Sequence, residues 1–263
     1  MSLLVEEGMS IRAAARIAGI SRSACYYDPK PDDVAFRNEL RRLAFRHRRE
    51  GYRMLHARLR RGEKWKPNHK RTYRVYTEEG LKIRTKYTKK KIRLPAKPRP
   101  VPSAPGIRWS VDFIMDALLS GRRVRIFGAI DDCSRECPLL YADFSIPGIR
   151  VVRLFEDLAR TSSLPQAMVM DNGPETSCHA FQHWAQENSI ELHYIDPGKP
   201  MQNAFIESFN GTLRDDFLKR TWFKTLDEFR EALEAWRIAY NTDRPHSSLN
   251  YLTPEEFAKL RKT

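Results

Sequence analysis

Between Thr85 and Gly106 the chain carries five prolines amid clustered Lys and Arg, in a stretch ending KYTKKKIRLPAKPRPVPSAPG. Proline lacks the N–H that helix interiors and central strands require, so this segment can belong to neither. It reads as a basic, semi-extended linker able to follow a polyanionic backbone. A chain of 263 residues suffices for one substantial domain and one or two small modules beside this linker.

Charge changes sign across this break. Residues 1–107 hold 28 Lys and Arg against 10 Asp and Glu, a balance of +18, whereas residues 108–263 hold 19 against 23, a balance of −4. The total of +14 favours a polyanion such as nucleic acid, or an acidic membrane face. An acidic segment binds nucleic acid poorly by itself unless its carboxylates are there to hold cations. No run of about 18 apolar residues is present to span a bilayer, and MSLLVEEGMS lacks the flank and core of a secretion signal. The expectation is therefore no membrane and a cytoplasmic location. Cys25, Cys133, Cys137 and Cys178 read as reduced structural residues, because Cys133 and Cys137 lack a second pair at zinc-ligand spacing.

In residues 1–30, Ser10 caps an Ala-rich run, Gly19 breaks it and Ser21 caps the next, which is the grammar of a helix-turn-helix. In that motif Arg22 and Ser23 sit at the amino end of the second helix, where base edges and phosphates are reached. A plain helical hairpin is the alternative. Residues 31–84 form a second, basic helical module. Leu40, Leu43, Ala44, Tyr52, Leu55 and Leu59 recur at helical spacing, and a third helix spans Asn68 to Glu79. Its other face carries Arg41, Arg42, Arg46, Arg48, Arg49, Arg58, Arg60 and Arg61, a near single-sign surface that repels itself without a polyanion.

Residues 107–225 change to α/β composition. RWSVDFIMDAL, RVRIFGAID and ECPLLYADF predict three strands, the first two joined at a Ser120-Gly121 turn. There follow a helix over Gly148–Ser162, a strand over Gln166–Met170, a helix over Thr176–Asn188, a strand over Glu191–Ile195 and a long helix over Gln202–Lys219. The order βββαβαβα is that of an RNase H-like core, a mixed five-stranded sheet with helices on both faces, here preceded by small all-α DNA-binding modules. Residues 226–263 add a helix over Leu226–Asn241, with Phe229, Leu233, Trp236 and Tyr240 on one stripe, then a loop and a short helix at Pro254–Leu260.

Three acids stand out. Asp112 lies mid-strand, where an ionised side chain is costly without a cation. Asp171 ends the apolar run AMVM and leads into Asn172-Gly173-Pro174, at a strand-to-loop opening where ligands commonly sit. Glu207 shares a helical stripe with Asn203, Asn210 and Arg214, beside the apolar stripe of Ile206, Phe209, Leu213 and Phe217. Converging carboxylates suit Mg²⁺, which demands hard oxygen ligands. Taken singly, each has a structural reading: a buried hydrogen-bonded Asp, an Asx-turn former, an exposed helix residue.

WSVDFIMDAL, AIDDCSREC, MVMDNGPE, YIDPGKPMQNAFIESFNGTLRDDFL and YNTDRPHSSLNYLTPEEF, in this order, resemble the DDE transposases and retroviral integrases. The likeness is specifically to the second-reading-frame (OrfB) transposases of bacterial insertion-sequence family three. The 35 residues between Asp171 and Glu207 match that family's spacing. GYRMLHARLR and NHKRTYRVYTEEGLKIR resemble its helical module, so the likeness covers nearly the whole chain. The resemblance implies that Asp112, Asp171 and Glu207 are catalytic ligands of Mg²⁺ or Mn²⁺, two ions per site, and that Arg214 holds DNA. Lys199 and Asn210 are further candidate DNA contacts.

Asp116, Asp131, Asp132 and Glu175 read as structural or supporting, and Arg244 with His246 as ordering a loop. The expected partners are element-end and target DNA, a second copy when assembled on DNA, and possible fusion to an upstream reading-frame product. The zinc module that opens retroviral integrases is not implied, since His47, His56 and His69 have no paired cysteines. The implied activity is cleavage at element ends and transfer of the 3′-OH into target DNA. The alternatives are a nonspecific nuclease on the same fold and a catalytically silent DNA-binding regulator.

Overall fold

A computed structural model of the chain describes residues 8–17, 19, 21, 34–62, 64–83, 100–196 and 200–262. Helix α1 (Ile11–Ile17) starts where expected, with the Ser10 hydroxyl accepting from the Ala13 amide. The second helix of that motif and most of the basic linker lie outside the described residues. Helices α2 (Val34–Arg46), α3 (Tyr52–Arg61) and α4 (His69–Glu78) bury Phe36, Leu40, Leu43, Leu55, Leu59, Val75 and Tyr76 in a small core of their own. Asn68 caps α4 by accepting from the Lys70 amide at 2.9 Å.

The arginine face of this module differs from its sequence reading. Arg37 and Arg41 pair with Glu79, Arg42 pairs with Glu39, and Arg61 pairs with Glu256 near the far end of the chain. Arg58 is almost wholly buried. It donates to both oxygens of the buried Glu50, at 2.7 and 2.8 Å, and through Nη1 to Asp243 Oδ2 at 2.6 Å. Much of the expected single-sign face is thus neutralised by acids of the same chain, an arrangement that periodicity cannot reveal.

The core is a mixed sheet of β1 (Arg108–Ala117), β2 (Arg123–Asp131), β3 (Leu139–Asp143), β4 (Ala167–Met170) and β5 (Glu191–Tyr194), in the spatial order β3-β2-β1-β4-β5. The first three strands are an antiparallel meander, and β4 and β5 are parallel to β1. Gly121, at φ +80°, supplies the left-handed residue of the β1–β2 turn. Alternation sends Trp109 and Val111 to one face, under α5 (Gly148–Ala159) and α6 (His179–Glu187). Ile114 goes to the other face, under α7 (Ala204–Leu213) and α8 (Leu226–Thr242).

Two helices depart from their expected bounds. α6 begins at His179 rather than Thr176, because the Thr176 hydroxyl is committed to the preceding loop. It donates to the carbonyls of Asp171 and Gly173, at 3.0 and 3.1 Å. The expected helix over Gln202–Lys219 is composite: a 3₁₀ turn at Pro200–Asn203, then α7, then a π turn at Arg214–Leu218. The π turn adds a residue to the ladder, seats Phe217 against Phe223 and Phe229, and brings Asp216 to Arg244.

α8 opens with a capping box between Thr225 and Glu228, and Asn241 near its end brackets Cys137, accepting from its amide and donating to its carbonyl. The chain then folds around His246. Its amide donates to Leu252 O, its carbonyl accepts from the amides of Leu249 and Tyr251, and its ring stands edge-on to Tyr240 at 5.0 Å. These bonds are what a loop-ordering role demands. Helix α9 (Pro254–Lys262) is the last of the described elements.

Two predictions follow from this packing. A Cβ on Gly148, at the start of α5, would lie 2.3 Å from Cys178 Sγ and 2.7 Å from the Glu175 carbonyl oxygen. Gly148→Ala should therefore cost about 1–3 kcal/mol in urea unfolding, and Cys178→Ala should not rescue it, since the backbone clash remains. Burial, then the charges of Arg244 and Arg135, push the His246 imidazole down to about 3. Between that value and the ordinary 6.5 or so, the unfolded chain takes up a proton that the folded chain refuses. Stability should fall with decreasing pH below about 6.5, by up to about 1.4 kcal/mol per pH unit from this group. His246→Gln should remove that component of the slope, as denaturation between pH 4 and 7, about the window set by the two values, will show.

Candidate active site

Asp112 occupies the centre of β1, on the face covered by α7. Its Oδ1 accepts from the Phe113 amide at 2.8 Å and its Oδ2 from Asn210 Nδ2 at 2.7 Å. Burial pushes its carboxyl up to about 6, and the negative charges of Asp171 and Glu207 push the same way. The Phe113 hydrogen bond and the positive charge of Arg214 oppose the rise. Asp171, Glu207 and Arg214 therefore all lie near enough for their charges to act on Asp112.

Backbone geometry accounts for this convergence. In the parallel pairing of β1 with β4, Ser110 stands opposite Val169. Continuing that register by two places sets Asp171, just past the end of β4, beside Asp112. The Thr176 bonds described above hold the turn that follows it.

Glu207 is exposed in the first turn of α7, between two asparagines that tie the helix to β1. Asn203 Nδ2 donates to the Val111 carbonyl at 3.2 Å, and Asn210 Nδ2 donates to Asp112. Residues at i, i+4 and i+7 share a helix face, so a Glu bracketed by two residues bonded to β1 is turned toward that strand. Arg214 follows on the same stripe and is exposed.

The donor set suits a hard divalent cation. Three carboxylates press their charge on one region, and the buried Asn210 Oδ1, next to Asp112, has no hydrogen-bond partner among the described residues. No three acid, His or Cys side chains among the described residues already close into a cage. A cation at this place has to draw the exposed Asp171 and Glu207 side chains inward, which their exposure permits.

The other acids have different partners. Asp131 is buried and accepts four hydrogen bonds, from the amides of Gly106, Cys133 and Ser134 and from Trp109 Nε1. Asp132 accepts from Arg108 Nε and the Ser110 hydroxyl. Glu175 pairs with Arg125 of β2. Asp116 lies near the far end of β1, opposite Val124. Of the candidate DNA contacts, Lys199, Arg22 and Ser23 lie outside the described residues. Asn210 is buried against Asp112 rather than turned outward, because its amide is held by that carboxylate. The tie from Asn203 to β1 escaped the sequence reading, although its place on the Glu207 stripe was visible.

The described helices include none long and apolar enough to cross a membrane. Family models described as integrase core domain match residues 102–200 and 188–254. A protein of insertion element IS407 from Burkholderia multivorans is 44% identical over 261 residues, covering 98% of this chain and 94% of the relative. The putative transposase InsK of insertion element IS150 from Escherichia coli K12 is 25% identical over 260 residues, covering 92% and 91%. A chain of the simian T-cell lymphotropic virus intasome, solved in complex with PP2A regulatory subunit B56 gamma, shares the fold. Its TM-score is 0.54 at 14% identity, over 84% of this chain and 74% of that one. With a relative this similar along almost its entire length and an integrase core in the matching residues, the chain belongs to the transposases of insertion-sequence family three.

Proposed function

We propose that this transposase cleaves DNA at the ends of its element and joins the freed 3′-OH to target DNA, with Asp112, Asp171 and Glu207 as catalytic metal ligands. The observation that carries the reading is Asp112: a half-buried carboxylate in mid-strand, pressed by the charges of Asp171 and Glu207 and held by Asn210. Mg²⁺ or Mn²⁺ fits these oxygens, and when bound, two such ions supply Lewis-acid stabilisation of the charge that develops around phosphorus.

The chain's own groups do the rest. Asn210 and the Phe113 amide fix both Asp112 oxygens in one orientation before DNA arrives. Asp171 and Glu207, both exposed, are free to turn toward it. Arg214 offers a guanidinium to a phosphate lying along the same helix face. In the first reaction water hydrolyses a phosphodiester at the element end, leaving a 3′-OH on one fragment and a 5′-phosphate on the other. In the second, that 3′ oxygen bonds to a target phosphorus, its proton is lost, and the target's own 3′ oxygen departs and is protonated. The second reaction makes one phosphodiester for one broken, and because water and then the 3′-OH attack phosphorus directly, no covalent protein intermediate is required.

The basic modules and linker supply the attraction to DNA, and joining two ends calls for two copies of the chain on DNA. Fusion to an upstream product remains compatible with this scheme.

The decisive assay incubates labelled element-end DNA with a target plasmid and Mg²⁺. Joined products support transfer, cut products alone indicate a nuclease, and intact DNA that is nevertheless bound indicates a silent regulator. Glu207→Gln should lower both cutting and joining by more than about 100-fold while leaving binding to the same DNA within about twofold. Asn210→Ala should lower joining by about 10–100-fold and raise the Mg²⁺ concentration giving half-maximal activity. An unchanged Mg²⁺ requirement in a folded Asn210→Ala protein would show that this amide does not position Asp112 for metal.

A further inference from the structure

On the other side of α7, away from Asp112, lies a cavity of about 400 Å³. Phe205, Ser208, Phe209 and Thr212 of α7 form one wall, and Tyr240, Arg244 and His246 form another. Arg135, from the loop between β2 and β3, enters between them. No carboxylate stands among the lining residues described.

The polar atoms of this cavity are arranged for a ligand. Arg135 Nη1 and His246 Nε2 are buried and have no hydrogen-bond partner among the described residues. An unsatisfied buried donor on a charged group costs more than a neutral one, so a partner is favoured. The nearest acids do not supply it. Asp131 already accepts four hydrogen bonds, and Asp132 is held by Arg108 and Ser110.

The guanidinium is also held in place. It lies over the Phe205 ring at 4.0 Å from the centroid. Its backbone sits at φ +63°, a left-handed conformation uncommon outside glycine, and its amide donates to Asp131 O at 2.9 Å. Arg244 adds positive charge, partly offset by its pairing with Asp216. The hydroxyls of Ser208, Ser247 and Ser248 are on the rim with no intramolecular hydrogen bond among the described residues.

We propose that this cavity binds a phosphate group, with Arg135 as the main donor and Arg244, His246 and the rim hydroxyls completing the set. A planar guanidinium with a free Nη suits a tetrahedral oxyanion, and rotatable hydroxyls can follow the remaining oxygens. The phosphate comes either from a DNA strand passing behind α7 or from solution. In the first case the helix that carries Glu207 is gripped on both sides, by the metal site in front and by a backbone phosphate behind. Only that source rests on the chain's acting on DNA.

The full chain, with ¹⁵N-labelled histidine and no divalent cation, is titrated first with inorganic phosphate and then with element-end duplex. The ring signals of His246 are identified by their loss in His246→Gln. The expected result is a saturable shift with both titrants, weakened more than about tenfold in Arg135→Gln and in Ser208→Asp. Arg135→Gln should also reduce the slope of log affinity for the duplex against log salt by about one. Ser208 is on the exposed side of α7, so its variant keeps the test open if Arg135→Gln fails to fold. A shift with inorganic phosphate alone and an unchanged salt slope assigns the site to free phosphate. Absence of any shift in the wild-type chain, with unchanged slopes in both variants, overturns the proposal and leaves the cavity to water. Because no cation or turnover is involved, this outcome is independent of whether the chain cuts and joins DNA.

Discussion

Helix α7 is fastened to the central strand β1 by two asparagine amides, Asn203 to the Val111 carbonyl and Asn210 to the Asp112 carboxylate. The apolar stripe of Ile206, Phe209 and Leu213 buries the helix on the sheet, but burial alone leaves its rotation and register loosely set. Hydrogen bonds to one particular carbonyl and one particular carboxylate remove that freedom. Glu207 lies between the two anchors, so its direction follows from theirs. Much of the site depends on this docking: Asp112 gains its orientation, and the front and back of α7 acquire different chemistry.

A second constraint is electrostatic. The chain is strongly basic, yet its helical module spends part of that charge internally. Glu50, buried, gathers Arg58, and Arg58 in turn reaches Asp243 after α8, while Arg244 pairs with Asp216 in the π turn. Buried ion pairs add little net stability once desolvation is counted, but breaking one leaves an uncompensated charge in the interior. Their effect here is to specify where the module sits on the core. The ends of α7 and α8 thereby share a network with α3, and the arginines left for DNA are fewer than the composition suggests.

Local patterns made much of the architecture legible. Alternation in RWSVDFIMDAL, the apolar stripes of α7 and α8, the Ser10 cap and the order of strands and helices all depend on neighbours within a few residues, and all are found in the structure. The helix bounds were less legible. Thr176 fits a helix by propensity, but its hydroxyl is claimed by the carbonyls of the Asp171 loop. The π turn at Arg214–Leu218 likewise answers to the packing of Phe217 against Phe229 and Trp236 of the next helix, contacts that no stretch of a dozen residues contains.

What the amino-acid order determined alone was the family and the βββαβαβα arrangement, and it singled out three candidate acids by their spacing, because periodicity, turn chemistry and motif order are written along the chain. What only the tertiary structure decided was which groups meet. Asn210 reaches Asp112 across 98 positions, and Arg58 reaches Asp243 across 185. The Arg135 cavity joins the β2–β3 loop to α7, α8 and the His246 loop. Contacts of that kind depend on how layers stack and on which polar groups remain unpaired after stacking. Neither is a property of a segment, so each becomes visible only when the whole chain is folded.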